Sequence, residues 1–183
     1  RISQRYAAPP VPLVPLILDH NLRNTRQIAE TFNPLAPMRM LLMGGEGPEV
    51  EFLRSTAHDA VETANEQVDR LLDAGWKSKE VMLLTIGTRH PRQIERGSDS
   101  DPDGYWRSFW EDDDVFYGQA LSCKGLERRA VVLCVNEDTA SDWSRERLYI
   151  GLSRATDQLI VVGDPDVVAQ MGGPEVAACL GIS

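Results

Sequence analysis

Two arginines and one glutamate stand in short motifs whose residue types suit contacts with a nucleotide. A guanidinium group carries a planar fork of N–H donors that matches phosphate oxygens, so Arg23 and Arg154 are candidates for phosphate contacts. The carboxylate of Glu127 could accept hydrogen bonds from ribose hydroxyls, and Gly125 nearby would let the backbone approach a ligand closely. These residue types therefore suggest a site for phosphate and ribose.

Each of these residues also has an ordinary explanation. Arg23 could form a surface ion pair, because such pairs are common and contribute little free energy. The segment around Gly125 and Glu127 could be a tight turn with solvated charges, and Arg154 could be favoured by the dipole at a helix C-terminus. Taken one at a time, the motifs are weak evidence for a site.

The elements that must position these residues alternate between strands and helices. Short aliphatic runs predict buried strands at residues 14–18, 38–43, 81–85, 115–120, 130–135 and 159–162. Amphipathic or capped stretches between them predict helices at residues 25–32, 56–74, 142–152, 165–171 and 174–180. This alternation predicts an α/β fold with a parallel sheet covered on both faces, in which ligands bind beyond the carboxyl ends of the strands.

The order and spacing of the motifs are more specific than any one of them. The sequence reads Asn-Leu-Arg-Asn-Thr at 21–25, Lys-Gly-Leu-Glu at 124–127 and Gly-Leu-Ser-Arg-Ala at 151–155. This trio resembles motifs IV, V and VI of superfamily 1 helicases of the UvrD/Rep type, over residues 18–163. Residues 79–85 also resemble the strand that this family has between motifs IV and V.

The resemblance implies a fold for the whole chain, residues 1–183. It implies the second, C-terminal RecA-like motor domain of such a helicase, an α/β three-layer sandwich of the P-loop NTPase type with a mainly parallel sheet. The sequence contains no G-x-x-x-x-G-K-[ST], so the domain lacks its own Walker A loop. The glycine-rich stretch 44–47 is expected to be a turn, because no Lys-Ser/Thr follows it. The chain starts at Arg1 rather than Met, which favours an excised fragment.

The resemblance also implies roles for the four candidate residues. In that family two RecA-like domains hold one ATP between them, and the N-terminal domain carries the Walker A loop, the Mg²⁺ ligands and the water-activating acid. Arg23 would contact the γ-phosphate, and Arg154 would be the arginine finger that stabilises charge on the transferring phosphoryl group. Glu127 would bind the ribose, with Gly125 allowing the close approach. ATP with Mg²⁺ is the expected cofactor, and the isolated chain is expected to be inactive.

Single-stranded DNA is the second partner that the resemblance implies, beside the N-terminal RecA-like domain of the same parent chain. The candidate DNA-binding residues are Thr85, His90, Arg92, Ser122 and Lys124.

Three positions depart from the family where it contacts base or DNA. Leu22 replaces the usual aromatic residue before the motif IV arginine, and Gln119 and Leu121 occupy polar DNA-contacting positions of motif V. The net charge of −9 also argues against a general nucleic-acid binder. A degenerate helicase-like domain that acts as a binding or scaffolding module is therefore the alternative to a DNA helicase or translocase motor.

Much of the acidic charge lies in residues 95–114, which contain eight acids against two arginines. The length of this segment predicts an acidic loop in place of the large domain that many relatives insert there. Its stretch 99–104 begins like an EF-hand calcium loop, but Trp110 stands where the twelfth-position glutamate should be, which favours a solvated loop. The aromatic residues of the segment are expected to pack on the domain rather than to stack on bases; they are Tyr105, Trp106, Phe109 and Trp110.

The remaining composition bounds the class of protein. The chain is 42% hydrophobic and 26% charged, which is typical of a globular domain. Three cysteines without CxxC spacing and three histidines without metal-like spacing predict neither a disulfide framework nor a metal site. No apolar run approaches the length of a membrane span. The expected setting is the cytoplasm, and the resemblance implies a bacterial DNA-repair context.

Overall fold

The computed structural model describes residues 19–97, 102–111 and 113–182. The strand predicted at residues 14–18 lies outside the described residues, and so do residues 98–101 and 112 of the predicted acidic loop. No helix among the described residues combines the length and the hydropathy that crossing a membrane requires.

A five-stranded parallel sheet forms the centre of the fold, in the order β3-β7-β6-β4-β5. Two short parallel strands, β1 and β2, pair beside it. The strands are β1 His20–Asn21, β2 Leu41–Leu42, β3 Glu51–Arg54, β4 Val81–Thr85, β5 Phe116–Gln119, β6 Arg128–Val135 and β7 Ala155–Gly163.

Helices cover both faces of this sheet. The helices are α1 Arg26–Phe32, α2 Ala60–Asp73, α3 Pro91–Arg96, α4 Pro102–Glu111, α5 Ser144–Leu152, α6 Pro165–Gly172 and α7 Pro174–Cys179. Alternate strand residues point to opposite faces, so the sheet supplies two apolar clusters. One cluster packs under α1, α4, α5, α6 and α7, and the other packs mainly under α2.

The predicted parallel α/β fold is confirmed, and the strongest strand patterns are the most accurate. The structure places β4 at the predicted residues 81–85, all of them buried. The strand predicted at 38–43 is reduced to β2, because β2 pairs only with β1 outside the main sheet. The prediction missed β3, an edge strand of half-exposed residues whose four-residue sequence contains only Phe52 and Leu53 as apolar residues.

The segment 95–114 differs from the predicted acidic loop, since α4 occupies much of it. Tyr105 and Phe109 are buried against Phe116, as expected for a packed cap, whereas Trp110 remains 73% exposed. Arg128 holds the end of this helix, because its guanidinium lies 3.6 Å from the centre of the Phe109 ring and donates to the Phe109 carbonyl.

Candidate functional site

The structure brings Arg23, Glu127 and Arg154 together from three distant segments of the chain. Arg23 Nη1 lies 3.0 Å from Glu127 Oε2, and Arg23 Nη2 donates to the carbonyl oxygen of Ser153 at 2.9 Å. Arg154 Nη1 donates to the carbonyl oxygen of Leu126, the residue before Glu127, at 3.2 Å. The three predicted site residues therefore form one cluster, which we call the arginine cluster.

Glu127 and Arg154 lie at the amino ends of two central strands, so the prediction that the chemistry follows the carboxyl ends is wrong for these two residues, whereas Arg23 does follow β1. Glu127 directly precedes β6, and Arg154 directly precedes β7. These strands are neighbours in register, with Arg128 beside Ala155, and the Arg128 amide donates to the Arg154 carbonyl at 3.1 Å. Parallel pairing of β6 and β7 thus places two residues 27 positions apart in the chain side by side.

Two buried asparagines build the loop that presents Arg23. The side-chain oxygen of Asn21 accepts hydrogen bonds from the amides of Arg23 and Asn24, which closes a local turn. Asn24 Nδ2 donates to the Ala155 carbonyl at 2.6 Å and so ties the turn to the start of β7. The sequence predicts Asn24 and Thr25 as polar caps of α1. Thr25 directly precedes α1 but its side chain makes no capping hydrogen bond, while Asn24 fixes the loop instead.

Gly44 is packed against the same loop and offers a direct test of it. A Cβ atom added at Gly44 would lie 1.9 Å from the backbone oxygen of Asn24, whereas one added at Gly45 would meet nothing within 4 Å. We therefore expect Gly44→Ala to displace the loop and to destabilise the fold by about 2 kcal/mol, a typical cost of overpacking. Urea unfolding of both variants measures this, and equal stability of Gly44→Ala and Gly45→Ala would contradict it.

Arg154 points into the protein. It is only 8% exposed, and its Nε donates to the Ile150 carbonyl at 3.0 Å while its Nη2 donates to the Ser153 hydroxyl at 2.8 Å. Burial lowers the pKa of this guanidinium, and the nearby positive charge of Arg23 lowers it further, while Glu127 opposes the shift. Two cations therefore lie near one carboxylate, which is ion-paired with Arg23, and an additional anion would stabilise this arrangement.

Arg23 is the more accessible arginine of the cluster. Its side chain is 44% exposed and borders a cleft of about 300 Å³ that is also lined by Leu22, Tyr149 and Ser153. Leu22 is 73% exposed, so this apolar side chain faces solvent at the position where the helicases that the sequence resembles have an aromatic ring. In this conformation Arg23, rather than Arg154, is the arginine that an incoming phosphate can reach from solvent.

Gly125 adopts a backbone conformation that favours glycine. Its φ is 93°, in the left-handed region, and no atom lies within 4 Å of where a Cβ would be. The turn between the end of β5 and Glu127 therefore depends on Gly125 for its shape and leaves open space beside the backbone. Both properties agree with the predicted close approach of a ligand, which stays a prediction.

The predicted DNA-binding residues separate into buried and exposed groups. Thr85 is fully buried in β4 and His90 is 2% exposed, so burial argues against direct contact of either side chain with a nucleic acid. Arg92 is exposed and lies over the Tyr117 ring, and Ser122 and Lys124 are exposed beyond β5.

The two residues that depart from motif V of the helicases that the sequence resembles differ from each other in their contacts and exposure. Gln119 donates to the Gly87 carbonyl at 2.6 Å, while Leu121 is 49% exposed. A DNA contact through the exposed residues stays a prediction.

His90 joins two helices on the α2 face of the sheet. Its Nδ1 accepts a hydrogen bond from the Arg92 amide at the start of α3, and its Nε2 lies 3.1 Å from Asn65 Oδ1 in α2. The ring stacks on Tyr117 at 4.6 Å between centroids. Burial, with a smaller contribution from Arg92, lowers the pKa of His90 from 6.5 to about 4. The neutral ring, protonated at Nε2, is therefore the form that fits this site.

This low pKa predicts a stability change in mild acid. Below pH 6.5 the unfolded state binds a proton at His90, whereas the folded state binds this proton only near pH 4. The stability contributed by neutral His90 is thus complete above pH 6.5 and is lost as the pH falls towards 4, by at most about 3 kcal/mol. Urea unfolding at pH 7.5 and 4.5 measures the loss, which should shrink in His90→Gln but not in the control His58→Gln, an exposed histidine. Equal losses in all three proteins would contradict this role.

Within the described residues, no group of three or more histidines, cysteines or acids could hold a metal ion. The carboxylate of the arginine cluster, Glu127, is paired with Arg23. The cluster itself thus offers positive charge to an anion rather than a set of oxygen ligands to Mg²⁺.

Comparisons with known proteins agree with the architecture. No protein-family model matches the sequence, and no curated protein matches it. Among solved structures, the chain is similar to the C-terminal domain of a possible DNA helicase from Lactobacillus plantarum WCFS1, with a TM-score of 0.53 and 17% identity over 78% of this chain and 87% of that chain. The chain has a RecA-like helicase domain fold.

A second similar structure is the PRRSV helicase nsp10, with a TM-score of 0.43 and 15% identity. That match covers 84% of this chain and 25% of the viral protein, so the chain spans about a quarter of its length. This likeness is too distant to support an argument about function. The likeness to the bacterial domain shows the helicase-like fold, and the functional assignment depends on the arginine cluster.

Proposed function

We propose that this chain is the second motor domain of an ATP-dependent DNA helicase or translocase of the UvrD/Rep type. The observation that carries the proposal is the convergence of Arg23, Glu127 and Arg154, which a helicase-like fold gathers from segments about 100 and 30 residues apart. The motifs in the sequence had suggested a role for each of these residues. The proximity of the three residues supports roles at one shared site. ATP would be held by a separate RecA-like domain that supplies the Walker A loop and the Mg²⁺ ligands.

Each residue of the arginine cluster has a distinct part in this proposal. Arg23 contacts the γ-phosphate from the exposed side of the cluster, and Arg154 stabilises charge that develops on the transferring phosphoryl group. Glu127 binds the ribose, which requires it to leave its ion pair with Arg23 when nucleotide arrives. The phosphate chain then replaces Glu127 as the counter-charge of Arg23.

The DNA part of the proposal depends on the exposed residues alone. Arg92, Ser122 and Lys124 are the predicted contacts that solvent can reach, and the cations among them suit phosphate groups. Thr85 and His90 act in packing instead, because both are buried.

One observation favours the alternative of a binding module without ATPase function. Arg154 is turned inward and three of its nitrogens donate to protein acceptors, as expected of an arginine with a structural role. A finger role requires this side chain to reorient when the two motor domains close on ATP. The two candidate functions therefore differ in whether Arg154 changes partners on nucleotide binding.

The decisive experiment measures ATP hydrolysis by the isolated chain and by a longer parent protein that includes the nucleotide-holding domain. We expect no turnover from the isolated chain and turnover stimulated by single-stranded DNA from the longer protein. A parent protein without a Walker A loop, or one that hydrolyses no ATP with DNA present, would establish the binding module instead.

A further inference from the structure

Ser153 contacts both arginines of the arginine cluster. Its carbonyl oxygen accepts a hydrogen bond from Arg23 Nη2 at 2.9 Å, and its hydroxyl accepts one from Arg154 Nη2 at 2.8 Å. The hydroxyl itself donates to the Ile150 carbonyl at 3.0 Å, and the same carbonyl accepts from Arg154 Nε at 3.0 Å. The backbone and the side chain of one residue thus each direct one guanidinium group.

The buried Ser153 hydroxyl cannot be removed without cost to its partners. Ser153 is 2% exposed, so neither its hydroxyl nor the buried Nη2 of Arg154 can easily turn to water. Among the described residues, the hydroxyl is the side-chain acceptor that Arg154 uses, since its other two acceptors are the backbone carbonyls of Ile150 and Leu126. Removing the hydroxyl leaves a charged donor without a partner, which costs more than losing a neutral hydrogen bond.

We propose that Ser153 is a positioning residue that holds Arg154 beside Arg23, so that Arg23 meets an incoming phosphate while the buried Arg154 adds positive charge next to it. The two guanidinium groups need to be held in place, because their like charges repel each other and would otherwise move the side chains apart. The hydroxyl holds Arg154 at the end of α5, while the carbonyl holds Arg23 where its side chain lines the cleft. This inference rests on the proposed function, because it assumes that the arginines bind phosphate.

The test uses the 183-residue chain with inorganic triphosphate as the probe. Calorimetric titration gives the affinity, and ¹⁵N NMR gives the rate at which the Arg154 Nε–H exchanges with water. We expect Ser153→Ala to weaken triphosphate binding about tenfold, since Arg154 loses the charged hydrogen bond that holds it beside Arg23, and to speed the exchange at Arg154. Ser153→Thr keeps the hydroxyl and should retain both properties, and Ser153→Cys, a close match in shape with a weak acceptor, should resemble Ser153→Ala.

Ser144 provides a matched control at the other end of the same helix. Its hydroxyl is also buried and also accepts from an arginine, Arg147 Nη2, at 3.2 Å. A nine-residue helix places it about 12 Å away from the C-terminal end of α5. We expect Ser144→Ala to leave triphosphate binding and the Arg154 exchange rate unchanged. An equal loss of affinity in Ser144→Ala would show an effect of helix stability and overturn the role of Ser153.

A double-mutant cycle separates positioning from a direct contact of Ser153 with the ligand. If Ser153 acts through Arg154, then Ser153→Ala should have almost no further effect on affinity in an Arg154→Ala background. A full tenfold loss in that background overturns the positioning role.

The remaining outcomes distinguish this inference from the function on which it rests. Triphosphate binding that Ser153→Ala and Ser153→Cys leave unchanged overturns the positioning role and keeps the phosphate site. If triphosphate binds to none of the proteins, the proposed phosphate contacts are wrong. An unchanged Arg154 exchange rate in Ser153→Ala overturns the role of Ser153 whatever the binding result.

Discussion

Replacing Arg154 with alanine in a protein that joins this chain to its nucleotide-holding domain should lower the rate constant of ATP hydrolysis by about 10³-fold. An arginine finger is worth this much because it stabilises charge that appears on the phosphoryl group only as the bond to it breaks. Nucleotide affinity should change far less, since Arg23 is exposed and keeps its own contact with phosphate. Steady-state ATPase assays give kcat, and equilibrium binding of ATP to the same variant gives the affinity.

The structure adds a second consequence of this substitution and a control for it. Arg154 also ties Ile150 to Leu126, so Arg154→Ala should lower the midpoint of thermal unfolding as well. Arg129 also lies at the amino end of a central strand, β6, but it is exposed and ion-paired with Glu80 and Asp157. Arg129→Ala should therefore retain kcat. Normal ATPase activity in Arg154→Ala, or the same loss in Arg129→Ala, would show that Arg154 is not the finger.

Glu137→Gln should produce the largest loss of stability, about 3 kcal/mol. Arg147 donates to both carboxylate oxygens of Glu137, at 2.5 and 3.0 Å, and the two side chains are only 15% and 19% exposed. Arg147 also donates to the Ile86 carbonyl, so the pair joins the end of β4, the segment after β6 and helix α5. An amide in place of the carboxylate leaves a mostly buried cation without its counter-charge, a change that costs several kcal/mol.

Urea unfolding measures this loss, and an exposed ion pair serves as its control. Glu175 pairs with Arg39 at 2.5 Å, but both side chains are more than half exposed. Glu175→Gln should therefore leave the unfolding midpoint nearly unchanged, because solvent screens such a pair. A loss in Glu137→Gln no greater than in Glu175→Gln would mean that the Arg147 network contributes little to the fold.

The sequence by itself determined the class of fold and indicated which residues could form the candidate site. Continuous aliphatic runs such as β4 and the core of β6 can be buried on both faces only in a covered parallel sheet, which is why their positions were predictable. Arg23, Glu127 and Arg154 were also identified from residue type and motif order, since a guanidinium or a carboxylate carries its chemistry in its own atoms.

Short and irregular elements could not be predicted in the same way. The pairing of β1 with β2 and of β3 with β7 depends on neighbours that are distant in sequence, while the local patterns are only two to four residues long. The acidic residues around helix α4 favoured a loop prediction, so this helix was not predicted. Its position depends on the packing of Tyr105 and Phe109 on Phe116 and on the contact of Arg128 with the Phe109 ring. Local propensity gives way to tertiary contacts in such segments.

Only the tertiary structure decided how the site residues face each other. Pairing of β6 with β7 set Glu127 and Arg154 side by side at the amino ends of these strands, and Arg154 turned inward onto Ile150, Leu126 and Ser153 while Arg23 stayed exposed. Burial likewise removed Thr85 and His90 from the surface that could meet DNA. Residue types state which contacts a side chain can make, but direction and accessibility arise from packing between segments that no local pattern in the sequence records.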